Sequence, residues 1–194
     1  MNTTRHCLRG LAAVIVLSLL SACSDSGMGE RVLAARPPGG DFVLQSAAGP
    51  LDTKALRGKV LLVYFGYVNC PDVCPASMAA GAAALNALSP AEREKTRMIM
   101  VSVDPERDTP AKLKDYVAYF HPAMIGAVGT AAETAAIAKS FGAGYQRQPT
   151  RPDGSYAVDH SSQTYVVGPD GKLMELLPLG IATDKVVAVV RKLL

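Results

Sequence analysis

The chain has 194 residues, of which 49% are hydrophobic, enough for one domain with a real core and no need of disulfide staples. Twenty basic residues face 17 acidic ones for a net charge of +3, spread along the chain without blocks of like charge. That balance excludes the electrostatic footprint of a nucleic-acid binder.

Taken in order, the chain opens with Arg5 and Arg9 ahead of the apolar run Leu11 to Leu20. The run is too short to span a bilayer, which takes about 20 residues, but suits the hydrophobic part of a signal peptide. It ends in Leu20-Ser21-Ala22-Cys23, which resembles a bacterial lipoprotein box. The resemblance implies cleavage after residue 22 and acylation of the Cys23 thiol, so that the mature protein hangs from a membrane of the bacterial envelope with its domain facing the periplasm. Residues 23–40 are rich in Gly, Ser and Pro and read as a flexible tether, its ends roughly 20–25 Å apart. The folded domain is expected over 41–194. With Cys7 removed and Cys23 acylated, only Cys70 and Cys74 remain as thiols in it.

Val60 to Phe65 (VLLVYF) is a continuous apolar run of the kind found in a strand buried on both faces. The cysteine loop "GYVNCPDVCP" follows, and Pro75 to Leu88 reads as a helix with proline in its first turn. Met98 to Val103 is a second buried strand, and its two methionines read as core. Thr109 to Phe120 is a helix opened by Thr109 with Pro110 behind it. His121 ends that helix and reads as a surface residue. Ile125 to Val128 is a short strand and Ala131 to Phe141 a helix. His160 to Val167 and Lys172 to Leu177 are strands flanking the turn cluster Gly168-Pro169-Asp170-Gly171, and Thr183 to Leu194 closes as a helix. The order βαβ then ββα is that of an α/β, thioredoxin-like fold, with a central mixed sheet flanked by helices.

Cys70 and Cys74 are four positions apart. A regular helix holds such positions about 5–6 Å apart at Cβ, too far for a relaxed disulfide at about 3.5–4.5 Å. Pro71 and Pro75 argue against a regular helix through the pair, so dithiol, disulfide and metal-bound states all stay open. The spacing is not the Cys-x-x-Cys of thioredoxin. A position at a helix entrance favours thiolate in at least one cysteine. As a third ligand His160 stands out, because in a thioredoxin-like fold the entry to the strand Thr164 to Val167 abuts the helix carrying the cysteines. A Cys2His set suits copper, since thiolate favours Cu(I) and imidazole takes either oxidation state.

Other positions read more modestly. Asp72 is either a partner-facing charge or a helix cap. Asp159 neighbours His160 but points to the opposite face. Asp104 to Pro110 (DPERDTP) reads as a charged strand-to-helix loop, and Gln146 to Tyr156 (QRQPTRPDGSY) as either a partner-facing hairpin or a tolerated surface loop.

The segments "GKVLLVYFGYVNCPDVCP", "VSVDPERDTP" and "VDHSSQTYVVGPDGKL" resemble those of the Sco/SenC family, copper chaperones with a thioredoxin-like fold that assist cytochrome c oxidase assembly. The resemblance implies that Cys70, Cys74 and His160 hold one copper ion per domain, as Cu(I) or Cu(II). It implies as partner the copper-site subunit of the oxidase, with other periplasmic copper chaperones or thiol–disulfide reductants beside it, and a dithiol able to reduce the target's disulfide before loading. The other reading is a metal-independent thiol–disulfide oxidoreductase, or a peroxidase-like protein, using Cys70 and Cys74 as a redox pair.

Overall fold

The computed structural model describes residues 37–194; the expected signal peptide 1–22, Cys23 and residues 24–36 of the expected tether lie outside the described residues. Residues 37–40 run along the domain, where the Gly39 N–H donates to the Ser140 carbonyl at 2.9 Å. Among the described residues no helix is long and apolar enough to cross a membrane.

The first elements are ones that periodicity did not reveal: a hairpin of β1 (Val43–Ser46) and β2 (Gly49–Asp52), then a 3-10 turn at Thr53–Leu56. Each strand buries a single side chain, Leu44 and Leu51, so neither carries an apolar pattern. β3 (Val60–Gly66) is buried at every position. It lies between β4 (Thr96–Ser102), which runs parallel to it, and β8 (Thr164–Val167), which runs antiparallel. A strand covered on both faces has no reason to alternate, and VLLVYF does not.

α1 (Val73–Ala87) follows β3, and α2 (Pro90–Glu94) is a single short turn held by a Ser89–Glu92 capping box. α3 (Pro110–Phe120) starts as expected, with the Thr109 hydroxyl accepting the Lys112 N–H at 3.3 Å. β5 (Met124–Val128) pairs parallel with β4. α4 (Ala131–Phe141) has its own capping box at Thr130 and Glu133 and ends on Gly142 in the left-handed region. Next come β6 (Tyr145–Arg147) and β7 (Val158–His160), then β8, β9 (Leu173–Leu177) and α5 (Thr183–Leu193).

The main sheet runs β2-β1-β5-β4-β3-β8-β9, parallel in its centre and antiparallel at both sides. Tyr64 and Phe65 point to opposite faces of β3. Phe65 meets Phe141 of α4 and Tyr165 of β8 edge to face, while the Tyr64 hydroxyl lies 3.4 Å from the Val73 carbonyl of α1. This is the expected mixed-sheet, thioredoxin-like fold.

Two expectations need correction. The strand expected over 160–167 is two strands, because at Ser161 the chain turns to Gly144: the Ser161 N–H donates to the Gly144 carbonyl and the Gly144 N–H to the Ser161 hydroxyl, each at 2.9 Å. His160 therefore closes a separate two-stranded sheet of β6 and β7. His121 is not a surface residue. It is 6% exposed, and its Nδ1 accepts the Ala123 N–H at 3.0 Å, so the ring builds the turn that ends α3.

The contact of α3 with β5 depends on Gly126, where a Cβ would lie 2.6 Å from the Leu113 Cβ and 2.9 Å from its carbonyl carbon. Because backbone cannot yield as a side-chain tip can, Gly126→Ala is expected to lower stability by about 1–3 kcal/mol in urea unfolding. An unchanged midpoint and slope would show that the helix shifts without cost.

Candidate metal centre

β3 delivers the chain to the cysteine loop at Gly66. There the absence of a side chain matters, since a Cβ would stand 2.7 Å from both the Cys74 Sγ and the Tyr64 Cε1. The loop turns at Tyr67, whose carbonyl accepts the Cys70 N–H at 3.2 Å. Cys70 stands ahead of α1 and Cys74 in its first turn, so no regular helix runs through the pair. Pro75 occupies that same turn, where its missing N–H has no helical partner to lose. Asp72 holds the N-cap position but makes no side-chain cap bond and is exposed, so the capping role considered for it is not realised.

His160 reaches the loop from β7. Its Nε2 lies 3.3 Å from the Cys74 Sγ and 3.7 Å from the Cys70 Sγ, and the three donor atoms all lie within 4.8 Å of one another. Three ligands bound to one ion at about 2.0–2.3 Å in a trigonal array stand about 3.7 Å apart, so the donor set fits a first-row metal with little movement. The Nδ1 of His160 lies 3.1 Å from the Ser161 carbonyl oxygen. A carbonyl only accepts, so this contact favours the tautomer with the proton on Nδ1, which leaves the Nε2 lone pair for the sulfurs. Tyr64 and Tyr67 set their rings edge-on to the imidazole at 5.9 and 5.7 Å and fix its plane.

Both thiols are free and buried, Cys74 completely. Burial pushes the Cys74 thiol well above its ordinary range, against the opposing pull of the Tyr67 backbone hydrogen bond. The helix entrance was expected to favour thiolate, but at Cys74 the loss of water outweighs it. Burial also pushes His160 down, keeping the imidazole neutral and able to donate its lone pair. The Tyr64 hydroxyl, 3.9 Å from the Cys74 Sγ, is likewise pushed up by burial and then by Cys74. Without a metal, burial thus favours the neutral forms of Cys74, Tyr64 and His160 alike.

The remaining sequence candidates divide clearly. Met98 and Met100 are core residues, each 1% exposed. Asp159 is exposed, and its Oδ2 accepts from Gln148 Nε2 at 2.6 Å, on the side of β7 away from the sulfurs. The DPERDTP segment is not merely a charged loop, because Asp104 and Asp108 are 3% and 4% exposed. Asp108 Oδ2 accepts the Ser102 hydroxyl at 2.6 Å and the Val68 N–H at 3.3 Å, which ties the end of β4 to the cysteine loop. Burial pushes its carboxyl up. Two acids four positions apart beside a buried strand were the available signal for this role. Tyr64 gave none, since within an apolar run it reads as core, and Gly66 and Tyr67 gave none, since nothing in the cysteine loop's pattern sets them apart. Cys23 is outside the described residues.

A family model described as SCO1/SenC matches residues 32–194. Protein SCO1, mitochondrial, of Saccharomyces cerevisiae is 36% identical over 141 residues, covering 72% of this chain and 48% of that protein. The chain spans about half the length of several of the curated relatives it matches. Among solved structures, ScoI of Bradyrhizobium japonicum with copper bound has a TM-score of 0.74 at 35% identity, over 81% of this chain and 99% of that one. The solution structure of apo Sco1 from Thermus thermophilus has a TM-score of 0.74 at 39% identity, over 82% of this chain and 94% of that one.

The burial of Cys74 fixes how its thiol reacts. Thiolate is the nucleophile, and a raised pKa leaves little of it at neutral pH. In the reduced, metal-free protein, alkylation of Cys74 by iodoacetamide at pH 7 is expected to be at least about tenfold slower than that of a free cysteine, and to keep rising through pH 9. Peptide mass mapping over a pH series checks this, and a rate that levels off below pH 8 would contradict it.

Proposed function

Because the chain belongs to the SCO1/SenC family, we propose that it is a membrane-anchored copper chaperone that carries one copper ion on Cys70, Cys74 and His160 to the copper-site subunit of cytochrome c oxidase during assembly. The observation that carries this reading is the convergence of two buried thiols and one half-buried imidazole, their donor atoms within 4.8 Å of one another. Soft sulfur ligands favour Cu(I), and a set of three leaves an open direction for an incoming ligand from the recipient. As the ion enters, Cys74 gives up its proton, so binding releases acid and tightens as pH rises. His160 needs no deprotonation, because burial already holds it neutral.

The reduced protein is expected to take up one Cu(I) or Cu(II) per chain under anaerobic conditions. His160→Ala is expected to weaken that binding at least about 100-fold and to remove the nitrogen ligand from the Cu(II) spectrum. Unchanged affinity and spectrum would remove His160 from the site. A second role is supported by the proximity of the two free thiols: as a dithiol the pair reduces a disulfide in the recipient before loading. That activity uses sulfur alone and survives His160→Ala, so the same variant separates the two roles.

The anchoring is proposed from the amino terminus: Arg5 and Arg9, the apolar run, and the small residues before Cys23 are the parts of a lipoprotein signal. Cys23→Ser is expected to abolish incorporation of a labelled fatty acid and to move the protein out of the membrane fraction. Retention of label in that variant would refute acylation at Cys23.

A further inference from the structure

Among the described residues β7, which carries His160, pairs only with β6 and not with the seven-stranded sheet. Its orientation over the cysteines therefore depends on what fastens this hairpin to the domain. Part of the fastening is Tyr67, whose hydroxyl accepts the Val158 N–H at 3.2 Å while its ring edge faces His160. The rest lies in the segment Gln146 to Tyr156, which the sequence left without a role.

Tyr156 ends that segment, two residues before β7. Its hydroxyl donates to Asp104 Oδ1 at 2.8 Å and lies 3.3 Å from a Glu106 carboxylate oxygen. Its carbonyl accepts from the Arg107 guanidinium at 2.9 Å. Its ring is clasped between two cations, the Arg107 guanidinium carbon 3.5 Å and that of Arg147 4.0 Å from the centroid. Arg107 is itself paired to the buried Asp104 and lies 5.5 Å from the Tyr67 ring. One buried carboxylate thus orients the guanidinium and holds the hydroxyl of the residue that leads into the ligand strand.

We propose that Tyr156, held by Asp104 and Arg107, is a latch that positions the β6–β7 hairpin and sets how often His160 lifts from the two sulfurs, and so how fast the copper is released. The proposal rests on the copper site described above. Tyr156 touches neither sulfur nor imidazole among its hydrogen bonds and ring contacts. It is a positioning residue, and the latch bears on opening more than on the closed site.

The test compares Tyr156→Phe, which keeps the ring and loses the bond to Asp104, with Arg107→Lys, which loses the bond to the Tyr156 carbonyl and the planar stack. In the metal-free protein, hydrogen exchange at the Val158 amide, followed by NMR, is expected to quicken by about tenfold in Tyr156→Phe, the worth of one side-chain hydrogen bond. Release of Cu(I) to a chelator is expected to quicken by the same factor, while the Cu(II) spectrum keeps its nitrogen ligand. Thr130→Ala, which removes the distant α4 cap, is expected to lower overall stability and leave both rates at the wild-type value.

Unchanged Val158 exchange in both latch variants would overturn the latch, and so would faster release in Thr130→Ala. Faster exchange with unchanged release would overturn its control of the metal. If the wild-type protein takes up no copper, the reading of the site fails instead, and exchange in the metal-free protein decides the latch alone.

Discussion

The hydrogen bond from the Val158 N–H to the Tyr67 hydroxyl joins the two parts of the chain on which the site depends, residues 91 positions apart. On one side of it is the cysteine loop, placed by β3. On the other is a hairpin that shares no strand pairing with the main sheet. Sulfur and nitrogen donors meet because this buried contact, with the Tyr67 ring against His160, sets the distance between two otherwise separate pieces of structure.

The two pieces differ in rigidity for a physical reason. β3 is an interior strand of the sheet, between β4 and β8, and is buried along its whole length, so opening it would disrupt the core. β7 has three residues, of which only Val158 is buried, and its other ties are a few polar and cation–ring contacts. The proposed carrier role asks that a metal be held and then surrendered. Fixed sulfurs with an imidazole on a less deeply anchored arm meet both needs.

Burial has opposite consequences for the two ligand types. It keeps the Cys74 proton in place, which protects the thiol from chance oxidation, and it strips the proton from His160, which prepares a ligand. The buried acids nearby serve the frame and not the metal. Asp108 holds Val68 of the cysteine loop and Asp104 holds Tyr156 of the hairpin, so one segment after β4 grips both halves of the site.

Much of this was legible in the chain. Doubly buried strands show as unbroken apolar runs, and a cap such as Thr109 marks a helix start, so β3, β4 and α3 were placed within a few residues. Cys70 and Cys74 could be isolated by accounting for the other cysteines, and His160 by fold order. Elements with one buried side chain each, β1 and β2, left no pattern to read, and α2 is too short to have a period. The sequence by itself therefore determined the fold class, the donor atoms and their chemical softness, because these follow from local pattern and residue type. Only the tertiary structure decided that His160 sits on a separate hairpin, that burial overrides the helix end at Cys74, and that Asp104, Arg107 and Tyr156 form one assembly. Those depend on desolvation and on contacts across 49 or more positions, which no local pattern records.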